Sequence, residues 1–202
     1  MTLTSISLNT SLNTASIEQA RRLRAIPKLQ LAQELGISSR SYSRHLNEGF
    51  PDGIQESLSS ALTVPPKFLD APHPDTLELS NINFRAGRKA QAVHRESAIA
   101  NGNLLTQVDS YLHEKYTIPA LDWVDLSHET PNLAAQLLRQ AWGLGIGPAP
   151  NMVQLCESRG NSVYGLTTIA KSVDAFSAWI GTRPLIFTSR QNARTQPFQH
   201  RA

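Results

Sequence analysis

A single cysteine, Cys156, stands in 202 residues, which excludes an internal disulfide framework and any zinc site built from several thiolates. No apolar run approaches the roughly 18 residues needed to cross a bilayer. The N-terminal stretch MTLTSISLNTSLNTAS lacks both a basic flank and an apolar core, so it does not read as a secretory signal. The expectation is a soluble, cytoplasmic protein with no membrane partner. Aromatic residues make up only 6% of the chain, yet an apolar fraction of 40% suffices for a buried core. No internal repeat is visible. A phosphate loop is missing too: the GLGIG run at 143–147 follows a helical pattern rather than a strand and has no P-loop lysine. The net charge of +3 permits nucleic-acid binding without demanding it.

The charge is clustered. Residues 20–46, ARRLRAIPKLQLAQELGISSRSYSRHL, hold six basic residues (Arg21, Arg22, Arg24, Lys28, Arg40 and Arg44) against one acid, Glu34. Two short helical patterns flank the turn Leu35-Gly36-Ile37-Ser38. Gly36 suits the left-handed residue that ends a helix, and Ser38 suits the N-cap of the next. Two helices joined by a short glycine-containing turn are the helix-turn-helix shape. A basic face on such a motif is what phosphate binding requires. Arg40 and Arg44 share one face of the third helix, whereas Tyr42 and Leu46 fall on another, which reads as core.

Along the chain, residues 1–15 read as a disordered tail and Ser16 as the cap of a first helix from Ile17 to about Ala25. Pro27 fits the first position of a second helix ending at Leu35. A third runs from about Ser39 to Asn47. Ile54, Leu58, Ala61 and Leu62 mark a fourth, and Phe68 and Leu69 plug the core from a fifth. A linker is expected over 71–96. Within it the basic run 85–95 reads by default as solvated, with DNA contact or domain packing as rivals. Helical patterns follow around Ile99–Leu112, Leu133–Trp142 and Met152–Cys156. The period then changes: Val163–Leu166, Ala175–Trp179 and Leu185–Thr188 read as strands, with a hairpin-like turn at Gly181-Thr182-Arg183-Pro184.

The first region resembles the Xre/Cro/lambda-repressor-like helix-turn-helix family. The matching pieces are Ala20-Arg21 with Arg24, Leu31-Ala32 with Leu35-Gly36-Ile37-Ser38, Tyr42-Ser43-Arg44, and Ala61-Leu62 with Val64-Pro65. The resemblance implies five helices, the third inserted in the major groove. Ser39, Arg40, Ser43 and Arg44 would then face bases, and Arg24 and Lys28 would anchor phosphates. Arginine reads guanine through O6 and N7, and serine reaches either kind of base edge. The implied partners are duplex DNA and a second copy of the chain in a homodimer.

Residues 97–188 resemble part of an ImmA/IrrE-type zinc metallopeptidase-like domain. The likeness rests on Asn83-Phe84-Arg85-Ala86, Leu138-Arg139 with Trp142-Gly143-Leu144-Gly145, Pro148 through Asn151, and Leu155-Cys156-Glu157 with Gly160. It continues in Val173 through Ser177 and Arg183 through Phe187. In that family a helix carrying HExxH follows, its two histidines on zinc and its glutamate activating water. Here His113-Glu114 is followed at the needed position by Thr117, and His128-Glu129 by Asn132. The expectation is an incomplete domain, truncated before that helix, that is no enzyme as it stands and takes no metal or cofactor. An irregular basic tail covers 189–202. The alternative function is a metallopeptidase cleaving a partner regulator, toxin or antitoxin, inactive in this form.

The expected fold class is therefore α+β, mostly α: a five-helix domain over 16–70 followed by an incomplete α/β metallopeptidase-like domain. Cys156 reads as a buried structural thiol, His113 and His128 as exposed residues rather than ligands, and Trp123, Trp142 and Trp179 as core aromatics.

Overall fold

A computed structural model of the protein describes residues 12–72, 77, 82–86, 91–149, 151–166 and 173–189. The fold is α+β. Five short helices come first: α1 (Thr14–Leu23), α2 (Lys28–Glu34), α3 (Ser39–Glu48), α4 (Gln55–Leu62) and α5 (Pro66–Asp70). Their apolar faces meet in one core of Ile17, Ala20, Leu31, Ala32, Tyr42, Leu58, Leu62 and Leu69.

Two expected starts shift. Asn13, not Ser16, caps α1: its side-chain oxygen accepts from Ala15 N at 3.0 Å and Ser16 N at 3.3 Å. Thr14 and Ala15 are thus helical rather than part of a disordered tail, and the buried Ser16 hydroxyl donates instead to the Ala71 carbonyl. Pro27 is the N-cap of α2, with ψ 147°, and Lys28 is the first helical residue. Phe68 and Leu69 sit on α5 as expected, with Leu69 fully buried.

The remaining elements are β1 (Ile82–Ala86), α6 (Ala92–Lys115), α7 (Pro131–Ala141), α8 (Met152–Ser158), β2 (Ser162–Leu166), β3 (Val173–Ile180) and β4 (Arg183–Ser189). The sheet order is β1-β3-β4-β2, with β1/β3 and β3/β4 antiparallel and β2/β4 parallel. Part of the stretch 71–96, read as a linker, is therefore regular structure. Residues 82–86 are an edge strand whose backbone pairs with β3, and α6 already begins at Ala92. Of the basic run 85–95, residues 87–90 lie outside the described residues, as does the tail at 190–202.

One aromatic row crosses all four strands. Phe84 lies opposite Phe176, Phe176 opposite Phe187, and Phe187 opposite Tyr164, with ring centroids 5.4, 4.4 and 6.1 Å apart. Helix α6 covers this face. At Gly102 an added Cβ would lie 2.6 Å from Leu77 Cδ1 and 3.0 Å from Phe176 Cζ, so the glycine sets how closely α6 approaches the sheet. The 24 residues of α6 also touch α1 on its other side. Gln19 Nε2 donates to the Ala100 carbonyl at 2.7 Å, and the Ser97 hydroxyl donates to Leu23 O at 3.2 Å. A helix buried between two layers has no clean polar stripe, and α6 buries Ser97, Asn101, Asn103, Thr106 and Asp109 along with Ala98 and Ile99.

The tryptophans are not core. Trp123 is 57% exposed and meets Trp179 edge to face, with centroids 4.8 Å apart. Trp142 is partly buried beneath the Arg159 guanidinium. Neither α7 nor α8 contains a fully buried residue, so Cys156 is only partly buried. Burial and the neighbouring Glu157 charge still push its thiol above the usual range. Among the described residues, no helix is long and apolar enough to cross a membrane.

Candidate nucleic-acid interface

The α2–α3 turn has the geometry its residues dictate. Gly36 takes φ +67°, Ile37 N reaches back to Ala32 O at 3.0 Å, and Gly36 N to Gln33 O at 3.0 Å. These two bonds close α2 as a Schellman motif. Ser38 then caps α3, its hydroxyl accepting from Ser41 N at 3.0 Å. With the helix start fixed, Tyr42 points inward and is 1% exposed, while Ser39, Arg40, Ser43 and Arg44 stand in solvent. Asn47, one turn beyond Ser43, joins the same exposed face; its place at the end of the helical pattern hid it from the sequence reading. Arg44 Nε lies 3.8 Å from Glu48 Oε2, both side chains largely exposed.

A charge network beneath this face ties the helices together. Glu18 on α1 accepts from Arg21 Nε at 2.9 Å and Nη2 at 3.0 Å, and from the Tyr42 hydroxyl at 2.8 Å. Lys28 Nζ sits 3.4 Å from the same carboxylate. Burial opposes the Glu18 charge, but the bonds from Arg21 and Tyr42 and the nearby cations outweigh it and hold the carboxyl below its ordinary value. Burial and then the Glu18 charge push the Tyr42 phenol well above its usual range.

The basic residues thus divide. Arg21 is 4% exposed; besides Glu18 it bonds Ile26 O through Nη1 at 2.7 Å, so it belongs to the framework rather than to a phosphate face. Arg24 bonds Leu62 O through Nε at 2.9 Å and Thr63 O through Nη2 at 2.5 Å, closing the C-terminal end of α4. Lys28 is 53% exposed and keeps one flank in solvent beside α3. Arg40 and Arg44 are the exposed cations on α3 itself.

The histidines behave differently from each other. His128 is exposed in a turn, as expected. His113 is partly buried, its Nδ1 2.9 Å from the Asp109 carbonyl oxygen and 3.5 Å from Asp109 Oδ2. Among the described residues no group of three His, Cys, Asp or Glu side chains is placed to hold a metal, so these residues do not fit the zinc site that the ImmA/IrrE resemblance implies. No family model, curated protein or solved structure matches this chain.

Proposed function

We propose that the chain is a sequence-specific DNA-binding transcriptional regulator of the Xre type, with α3 as the helix that enters the major groove. The observation that carries this reading is the exposed face of α3: Ser39, Arg40, Ser43 and Arg44 in solvent, opposite a fully buried Tyr42. A helix whose outer face offers arginine forks and hydroxyls matches the donor and acceptor pattern of base edges. Lys28 at the start of α2 anchors a phosphate beside the groove. Arg24 contributes mainly by holding the end of α4. A homodimer places two such helices on half-sites about 34 Å apart. A regulator of this kind works with DNA in the cytoplasm.

Selection from a pool of random duplexes tests sequence specificity. The chain is expected to enrich a short motif rich in guanine contacts, and the Arg44→Ala variant to lose that enrichment at one position. Recovery of unenriched DNA would overturn the specific reading.

A further inference from the structure

Away from α3, the C-terminal end of α6 and strand β2 line an open pocket of about 240 Å³ in which the side-chain hydroxyl, imidazole and amide groups can be assigned as donors or acceptors. Asp109 is one of its lining residues and is 1% exposed. Its Oδ1 accepts from the Ser162 hydroxyl and, at 2.9 Å, from the Tyr164 hydroxyl. Both hydroxyl hydrogens are therefore spent, and the two oxygens can offer the cavity only lone pairs. His113 Nδ1 faces two acceptors, the Asp109 carbonyl and Oδ2, so it carries the ring proton and leaves Nε2 an acceptor in the neutral ring. Asn161 donates through Nδ2 to Cys156 O at 3.2 Å, which leaves its Oδ1 as an acceptor. Glu157 adds a second carboxylate to the lining.

Asp109 Oδ2 sits 2.9 Å from Arg183 Nη1, yet it accepts no hydrogen bond among the described residues. Arg183 balances the buried charge from outside the cavity lining, where it also reaches Ser110 Oγ at 3.2 Å. With Asp109 balanced by Arg183, the lining offers the negative charge of Glu157 and side-chain lone pairs, and its apolar walls include the side chains of Leu112 and Ile118. Side-chain acceptors whose own hydrogens are already spent are matched by a ligand that brings the hydrogens.

We infer that this cavity is a binding site for a small organic cation, a primary ammonium or amidinium on a short apolar stem. The cationic head lies among Glu157, His113 and the two hydroxyl oxygens, and the stem lies along Leu112 and Ile118. The site stands independently of the DNA-binding reading, since it shares no residue with α3.

Calorimetry and thermal melting of the full chain with three matched probes test it: isopentylammonium, the neutral isopentanol and the anionic 4-methylpentanoate. Isopentylammonium is expected to bind saturably at millimolar concentration and to raise the melting temperature, while the other two do neither. Glu157→Gln, at an exposed position, should weaken the ammonium about tenfold, the scale of one charge-assisted hydrogen bond. Ile118→Trp should abolish binding by filling the cavity. If Ile118→Trp fails to fold, the Glu157→Gln arm decides alone. No saturable ammonium response, equal binding of isopentanol, preference for the carboxylate, or an affinity unchanged in Glu157→Gln would each overturn the inference.

Discussion

The phenolic hydroxyl of Tyr42 on α3 donates to Glu18 Oε1 on α1 at 2.8 Å, and through that bond α3 is registered against α1. Glu18 is shared with Arg21 and lies near Lys28, so one carboxylate orients α1, α2 and α3 together.

Removing the hydroxyl while keeping the ring separates bond from packing. Tyr42→Phe should cost about 1.5–3 kcal/mol, because it strips a partner from a largely buried charge. Tyr42→Ala should cost about 3–5 kcal/mol, since it also opens a cavity in the five-helix core. Denaturant titration followed by circular dichroism measures both. Equal losses for the two variants would show that the bond to Glu18 carries the whole effect and the ring none.

Acid should find the same network. The Glu18 carboxyl is held below its ordinary value of 4.5 in the fold. Its charged form therefore contributes stability above about that pH, and the contribution is lost as pH falls through the lower folded value. Glu18→Gln is expected to flatten the stability-versus-pH curve on the acid side of 4.5 and to leave the slope near neutrality unchanged. A variant curve parallel to the wild-type curve down to acid would contradict this.

Helices α2 and α3 and the turn between them were legible because their signals are local. Gly36, Ser38 and the apolar spacing around Tyr42 each act within one turn of chain. The Arg24 assignment shows where locality ends: a phosphate anchor by pattern, the side chain spends two donors on carbonyls of α4, 38 and 39 residues away in sequence. Strand β1 was hidden for the same reason. Residues 82–86 carry no turn signal of their own and become a strand only by pairing with β3. The sheet order was equally hidden, since β4 becomes a central strand only because β2 pairs with it in parallel. The acceptor-lined cavity around Asp109 left no motif, because its groups come from α6, α8 and β2 and meet only on folding.

That sheet order has a measurable consequence. Residues 185–188 pair on both sides, with β3 and with β2. Their amides should exchange slowly, with protection comparable to helices α1 to α5, while β1 and β2 at the edges exchange faster. Hydrogen exchange read by mass spectrometry checks it. Fast exchange across 185–188 in a monomer would mean that the β2–β4 pairing is not populated.

Several helices end in the same two backward bonds, but with different residues at the left-handed position. Gly36, Gly143 and Gly160 occupy it in α2, α7 and α8, whereas Ala25 takes φ +54° after α1 and Thr63 φ +52° after α4. A β-branched residue there costs about 1–2 kcal/mol. Thr63→Gly should therefore stabilise the chain by about 1 kcal/mol, after allowing for the entropy that glycine adds to the unfolded state. Gly160→Ala should do the reverse and more, because a Cβ there would lie 2.7 Å from the backbone of Ala120. Thermal melting of the two variants should move in opposite directions; a downward shift in both would refute the strain at Thr63.

The central claim is that α3 docks on DNA through exposed cations, and its most direct test is duplex affinity measured against salt. If Lys28, Arg40 and Arg44 together neutralise about three phosphate charges on the duplex, log affinity should fall with log salt at a slope of roughly −3. Arg40→Ala with Arg44→Ala should weaken binding and bring the slope to roughly −1, while Arg24→Ala lowers stability and leaves the slope nearly unchanged. A salt-independent affinity in the intact chain, or a slope indifferent to the loss of both α3 arginines, would contradict the assignment of α3 as the DNA-binding helix.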